Sequence, residues 1–191
     1  MLKVRVSEAR NSSGFGRAGP AGYNRGMRED QWKPNVTVAA VIERDGRYLL
    51  VEEETAEGIR FNQPAGHLED GESLAAACTR EVLEETRYRF RPTALVGVYQ
   101  WPRPQGEGTQ RPHDRITYLR FCFAGEIEGE DEGRPLDDGI IAPRWLSLDE
   151  AKACADRHRS PLIVRCIEDH AAGRRFPLDL IRHYDPATNN P

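Results

Sequence analysis

The sequence lacks any long apolar run. Nothing in its 191 residues approaches the roughly 18 consecutive apolar residues that a membrane helix requires. It also lacks a surplus of positive charge: the net charge of −4 gives no electrostatic case for a nucleic-acid polymer or an anionic membrane as partner. Cysteine is sparse. Cys78, Cys122, Cys154 and Cys166 are scattered with no CxxC pair, which argues against a zinc site or a disulfide frame and reads as small buried hydrophobes in a reducing cytosol. His158, His170 and His183 have no metal-ligand spacing. There is no internal repeat, no sign of a second domain, and no helix-turn-helix or basic reading segment. What is left is a chain of the length of one enzyme domain, expected to be cytoplasmic and monomeric or homodimeric.

The first 26 residues lack apolar periodicity and carry Lys3, Arg5, Arg10, Arg17 and Arg25 against one acid, Glu8. Such a segment buries too little surface to fold alone, and it has no apolar stretch of the kind a secretory signal uses. Either Met27 is the natural start, or the segment is a disordered arm. Residues 1–32 are accordingly set apart from a domain over 33–185.

Within that domain, Val36 to Arg44 is a β-rich run. Asp45-Gly46 is a two-residue hairpin signal, and Arg47 to Glu53 returns as the partner strand. Ile59 to Ala65 enters a glycine-containing loop. A helix is expected from Glu72 or Ser73 to about Glu85, then strands over Leu95 to Trp101 and Ile116 to Glu126. Arg103 to Asp114, rich in Pro, Gly and Gln, separates those two strands as a long loop. Ile140 to Leu146 approaches a helix opened by a Ser147/Glu150 capping box. Ser160-Pro161 opens one more helix, with serine as N-cap and proline at the first position, and Gly173 stops it.

What the sequence does have is concentrated between Gly66 and Tyr88, GHLEDGESLAAACTREVLEETRY. Glu81, Glu84 and Glu85 stand at i, i+3 and i+4, so on a helix they share one face. Three like charges so placed repel, and a cation reverses the sign of that cost. Oxygen ligands without His or Cys select Mg2+, with Mn2+ as alternative, over zinc. A glycine loop leading into an acidic helix suits the hydrolysis of pyrophosphates. The bland reading of the run is a solvated helix face of Glu and Arg.

Five residues separate Gly66 from Glu72, and seven separate Glu72 from Arg80-Glu81-Val82-Leu83-Glu84-Glu85. This spacing resembles the Nudix box, GX5EX7REUXEEXGU, with U aliphatic. Two positions depart from it: Arg87 replaces the second glycine and Tyr88 the last aliphatic residue. That glycine normally ends the helix in a left-handed conformation, so Arg87 reads as a local stability defect or a reshaped turn. The stretches KPNVTVAAVIERDG, NQPAGHLE, YQW, LRFCFA, RSPL and GRRFPLDLI extend the resemblance, over roughly Lys33 to Ile181, to a phosphatase subgroup of the family, the NudJ type.

The resemblance implies an α/β fold, an α/β/α sandwich with a mixed sheet. It implies a Mg2+-dependent phosphohydrolase that releases phosphate from nucleoside tri- and diphosphates and from hydroxymethylpyrimidine pyrophosphate, the thiamine precursor. The substrate partner is then a small phosphate compound. Glu81, Glu84, Glu85 and the carbonyl of Ala65 are the implied metal ligands. Glu81, or a carboxylate from a later loop, is the implied base; Asp137 or Asp138 either supplies such a carboxylate or belongs to a polar turn. Arg80 would hold a box glutamate by a bidentate bond, and Glu72 would support rather than ligate. His67 either contacts phosphate or packs on the loop. Asn62 and Gln63 either read a base or sugar or pin the loop. Phe61, Tyr99 and Trp101 either stack on a substrate ring or belong to the core. His113 and Arg115 either clamp phosphate or lie on a solvated loop. Two other functions stay open: a dinucleoside polyphosphate or sugar-nucleotide hydrolase, and a Nudix-fold ligand sensor without turnover.

Overall fold

The computed structural model describes residues 32–103 and 116–184. The expectations for the N-terminal arm, for most of the long loop and for His113 and Arg115 fall outside those residues. Among the described residues no helix is long and apolar enough to cross a membrane.

Strand β1 (Asn35–Val41) is the centre of the architecture. Its residues alternate between two faces, and both are buried, which explains its nearly continuous apolar run. Val38 and Ala40 face one way, into a core with Ala77, Cys78 and Val82 of helix α1 (Leu74–Thr86) and with Phe123. Ala39 and Val41 face the other way, into a core with Ile163, Cys166 and Ile167 of a C-terminal helix. The chain then turns through β2 (Glu43–Arg44) into β3 (Arg47–Thr55). Asp45 and Gly46 sit at φ 51° and 75°, the paired positive φ values that an Asp-Gly hairpin turn supplies.

Strands β4 (Gly58–Asn62) and β5 (Ala65–His67) lead to α1, and β6 (Tyr88–Pro102) follows it directly. After β7 (Thr117–Glu130) come β8 (Ile140–Ser147) and two helices, α2 (Leu148–Ala153) and α3 (Leu162–Ala171). One sheet has the order β5-β1-β7-β6. It is mixed, because β1 and β7 run parallel while the flanking pairs are antiparallel. A second, antiparallel sheet joins β2, β3 and β4, with β8 also on β3. The result is the expected α/β/α sandwich.

Three local expectations need correction. Ile140 to Leu146 is itself a strand, held by seven register pairs of β8 with β3 through Arg47 to Glu53. Strand β6 starts at Tyr88, not Leu95. Its first half buries Phe90 and Ala94 between exposed residues, and the register shift at Pro92 obscures that alternation in the sequence. Ser160 does not cap α3. The helix begins at Leu162 with Pro161 before it and no side-chain cap bond, and the Ser160 hydroxyl is buried without a partner among the described residues. The Ser147/Glu150 capping box forms as read, with Oγ of Ser147 accepting from Glu150 N at 3.1 Å and Glu150 Oε2 from Ser147 N at 2.7 Å.

Arg87 ends α1 at φ 67°, a left-handed conformation, and its N–H donates to Leu83 O at 2.9 Å. Arginine there costs about 1 kcal/mol relative to glycine, and its buried Nε has no partner among the described residues. Glycine at this position gives back part of the gain through unfolded-chain entropy. Arg87→Gly is therefore expected to raise stability by about 0.5–1 kcal/mol, or a melting temperature by about 2 °C. An unchanged or lower midpoint contradicts that.

His170, near the end of α3, stands edge-on to Tyr48 with ring centroids 5.7 Å apart. Burial, reinforced by Arg175, pushes its pKa down to about 4, against about 6.5 in an unfolded chain. The unfolded state therefore binds more protons between these values, and stability falls as pH drops from about 6.5 to 4. His170→Gln is expected to flatten that part of a stability-versus-pH curve. An unchanged slope would assign the acid sensitivity to other groups.

Candidate active site

The site is built where the sheet edge β5 meets the face of α1. Ser73 starts the helix, its Oγ accepting from Ala76 N at 3.1 Å, and this fixes the phase that turns Glu81 and Glu85 toward β5, with Glu84 beside them on Arg80. Glu72 lies just outside the helix. Its carboxylate takes a bidentate bond from Arg80, with Nη2 at 2.8 Å and Nε at 3.1 Å. The same guanidinium donates to Glu81 Oε1 at 2.8 Å, Glu84 Oε2 at 3.0 Å and the His67 carbonyl at 3.1 Å. Arg80 thus ties the loop, Glu72 and two helix carboxylates into one charge-assisted network. Its bidentate partner is Glu72 rather than one of the three helix glutamates. The bond from Arg80 holds the Glu72 carboxyl below the usual range.

Register explains why Ala65 matters. Pro64 O and Leu68 N pair with β1 at Ala40 and Val36, and antiparallel ladders alternate. The N–H and C=O of Ala65 consequently point to the open edge of the sheet. The N–H donates to Glu85 Oε2 at 2.8 Å, and the carbonyl faces the same side. Glu85 is only 8% exposed. Burial pushes its pKa well up, opposed by the Ala65 N–H and reinforced by Glu81, Glu53 and Asp137. Burial also raises Glu81, against the pull of Arg80. Gly66 sits against Glu81 so closely that a Cβ would overlap its carboxylate. This position requires glycine for space, not for backbone conformation.

Among the described residues no three His, Cys, Asp or Glu side chains converge on one point as they stand. The cause is visible: Arg80 draws Glu81 and Glu84 to itself, while Ala65 N holds Glu85. Arg134 adds a 3.4 Å ion pair to Glu84. Asp137 donates its backbone N–H to Glu84 O at 3.1 Å, which brings a later-loop carboxylate into the field of Glu81 and Glu85.

On the sheet face away from α1, a cavity of about 300 Å³ opens beside Ala65 and Gly66. Of the residues singled out in the sequence, His67, Asn62 and Trp101 line it. Trp101 stacks on Tyr118, with centroids 5.8 Å apart and planes 20° apart. Gln63 does not line it. Its amide is 1% exposed and pins the loop, donating to Ala40 O at 3.3 Å. Phe61 belongs to the core, with the Arg157 guanidinium 4.5 Å above its ring. Tyr99 is turned to α3, its hydroxyl donating to Asp169 Oδ2 at 2.9 Å. Sequence reasoning missed Thr37, Arg60, Tyr118, Arg120, Arg159 and Ser160, all of which line the cavity. For Arg120, Arg159 and Ser160 a signal existed, in the stretches LRFCFA and RSPL.

A glycine-led acidic helix on a mixed sheet, beside a cleft rich in arginine, defines a hydrolase of phosphoanhydride bonds. Residues 32–166 match the NUDIX domain, and the chain belongs to the Nudix family. It is 38% identical over 154 residues to Phosphatase NudJ of Escherichia coli K12, a match spanning 81% of this chain and 94% of that protein. A solved NUDIX hydrolase from Nitrosomonas europaea is 51% identical with a TM-score of 0.73, covering 81% of this chain and 99% of its own. The fold is shared more distantly with a UDP-X diphosphatase, at 18% identity and TM-score 0.60 over 77% of this chain and 67% of that one.

Proposed function

We propose that the protein is a Mg2+-dependent phosphohydrolase that releases phosphate from nucleoside tri- and diphosphates and from hydroxymethylpyrimidine pyrophosphate. The observation that carries this reading is the adjacency of opposite charges at Gly66. The helix glutamates lie on one side of β5, and a cavity lined by Arg60, Arg103, Arg120 and Arg159 lies on the other. The resemblance to a phosphatase over most of the chain supports it.

Glu81, Glu84, Glu85 and the Ala65 carbonyl fit a hard divalent cation: all are oxygen donors, and the Ala65 carbonyl is directed to the same sheet edge as Glu85. When bound, such an ion neutralises phosphate charge and acidifies water. The chain's own residues do the rest. Arginines of the cavity hold phosphate oxygens, and His67 at the rim donates to them. Trp101 and Tyr118 present an aromatic surface to the organic group. Glu81, made more basic by burial, accepts the proton of the attacking water. Arg80 keeps Glu72 and the helix carboxylates in register and so acts on position. Catalysis of this kind rests on alignment and electrostatics more than on covalent help. Product analysis tests the reading. Orthophosphate from tri- and diphosphates supports it, whereas a nucleoside monophosphate from a dinucleoside polyphosphate or sugar nucleotide alone refutes it.

A further inference from the structure

The cavity holds more unmatched polarity than the hydrolytic groups account for. Arg120, on β7, is 9% exposed. Its Nη1 donates to Gln63 Oε1 at 3.3 Å, its Nε has no partner, and no carboxylate among the described residues pairs with it. Two further buried polar atoms on lining residues also have no partner among the described residues: Thr37 Oγ1, on a residue 5% exposed, and Ser160 Oγ, on a residue 6% exposed. Thr37 lies opposite Arg120 in the parallel β1–β7 register. A buried guanidinium without a counter-ion is strongly unfavourable, and apolar side chains in the same sheet show what a purely structural solution looks like. Three residues that line one cavity each carry an orphaned donor, and that chemistry matches an oxyanion.

We propose that Arg120, Thr37 and Ser160 form an oxyanion subsite that takes a phosphoryl group of the substrate other than the one attacked, a placement that rests on the phosphohydrolase reading. The row His67–Thr37–Arg120 crosses β5, β1 and β7 at one level. Two strand spacings put Arg120 about 10 Å across the sheet from His67. Gln63 is the positioning residue: pinned to Ala40 O, it orients the guanidinium. The oxyanion has two possible sources, an inner phosphate shared by tri- and diphosphates or a third phosphate found only in triphosphates.

Binding of inorganic tripolyphosphate, measured by calorimetry in EDTA, tests the subsite apart from turnover. Arg120→Met is expected to weaken that binding about 10- to 100-fold and to raise the melting temperature, since it removes a buried unpaired charge. Arg120→Lys recovers part of the affinity. Unchanged affinity in Arg120→Met, or no tripolyphosphate binding by the wild-type chain, overturns the proposal. If Arg120→Met fails to fold, Thr37→Val and Ser160→Ala carry the test. Each is expected to lose affinity several-fold, and no loss in either overturns the subsite. In Mg2+ assays the KM of Arg120→Met rises with little change in kcat. A rise for triphosphates alone identifies a third phosphate, and a rise for di- and triphosphates alike identifies the inner one. Equal KM values with normal wild-type turnover refute the subsite only. A wild-type chain that binds tripolyphosphate through Arg120 yet hydrolyses nothing refutes the phosphohydrolase reading only.

Discussion

Glu84→Gln is expected to leave the fold intact and to lower kcat by about three orders of magnitude. Glu84 is partly exposed and held by side-chain bonds from Arg80 and Arg134. Glutamine has the same shape and keeps an acceptor oxygen for Arg80, so the Arg80 network survives and only the longer bond from the part-exposed Arg134 is lost. What disappears is one negative charge from the three-carboxylate face. Metal-assisted charge neutralisation is worth several kcal/mol in phosphoryl chemistry, and each ~1.4 kcal/mol is a factor of ten. The variant should melt within about 1 °C of wild type and bind Mn2+ more weakly in a titration followed by paramagnetic resonance. Turnover within tenfold of wild type would sink the assignment of this helix face to the reaction.

Gly66→Ala is the second large effect, and it works through space. The added methyl group meets the Glu81 carboxylate, which has little room to withdraw because Arg80 holds it at 2.8 Å and its surroundings bury it. Overpacking of this kind costs about 1–3 kcal/mol. Relief requires Glu81 or β5 to move: the first displaces Glu81 from the other carboxylates, the second displaces the Ala65 carbonyl from all of them. Misplacement by an ångström is enough for about a hundredfold loss of rate. A lower melting temperature together with at least a tenfold drop in kcat is the expected outcome. Wild-type values for both would show that the close approach seen here has no role. A control at Gly71, exposed and at φ 80° with open space around it, should lose stability through backbone strain alone and keep its kcat.

The sequence made the local features legible. The Asp45-Gly46 turn, the capping box at Ser147, the span of α1 and the glutamate face all depend on residues a few positions apart, and spacing captures them. The left-handed end of α1 was also legible, because the family pattern wants glycine where Arg87 stands. Features set by long-range pairing were hidden. Strand β8 is a strand because β3 offers it a partner from Arg47 to Glu53, about a hundred residues earlier. Strand β7 buries residues of both faces, so its alternation does not show which side chains meet the cavity. Ser160 shows the limit most plainly. Ser-Pro before an apolar run is a local helix-start signal, yet the Ser160 hydroxyl caps no helix and the residue lines the cavity instead. Gln63 and Asn62 looked equivalent as neighbours, but Asn62, the last residue of β4, lines the cavity, whereas Gln63, just past the strand end, is pinned in the interior by its bond to Ala40 O. The pocket arginines at 60, 103, 120 and 159 come from four separate segments, so no spacing could have gathered them.

The central claim is that the glutamate helix and the arginine-lined cavity act together on phosphoanhydrides. The most direct test incubates the pure protein with Mg2+ and, separately, a nucleoside triphosphate, a nucleoside diphosphate, a dinucleoside polyphosphate and hydroxymethylpyrimidine pyrophosphate, and resolves the products by chromatography. The account predicts orthophosphate from the first two and from the pyrimidine pyrophosphate, with turnover abolished by EDTA. Nucleoside monophosphate from the dinucleoside compound as the sole product, or turnover indifferent to EDTA, would contradict it.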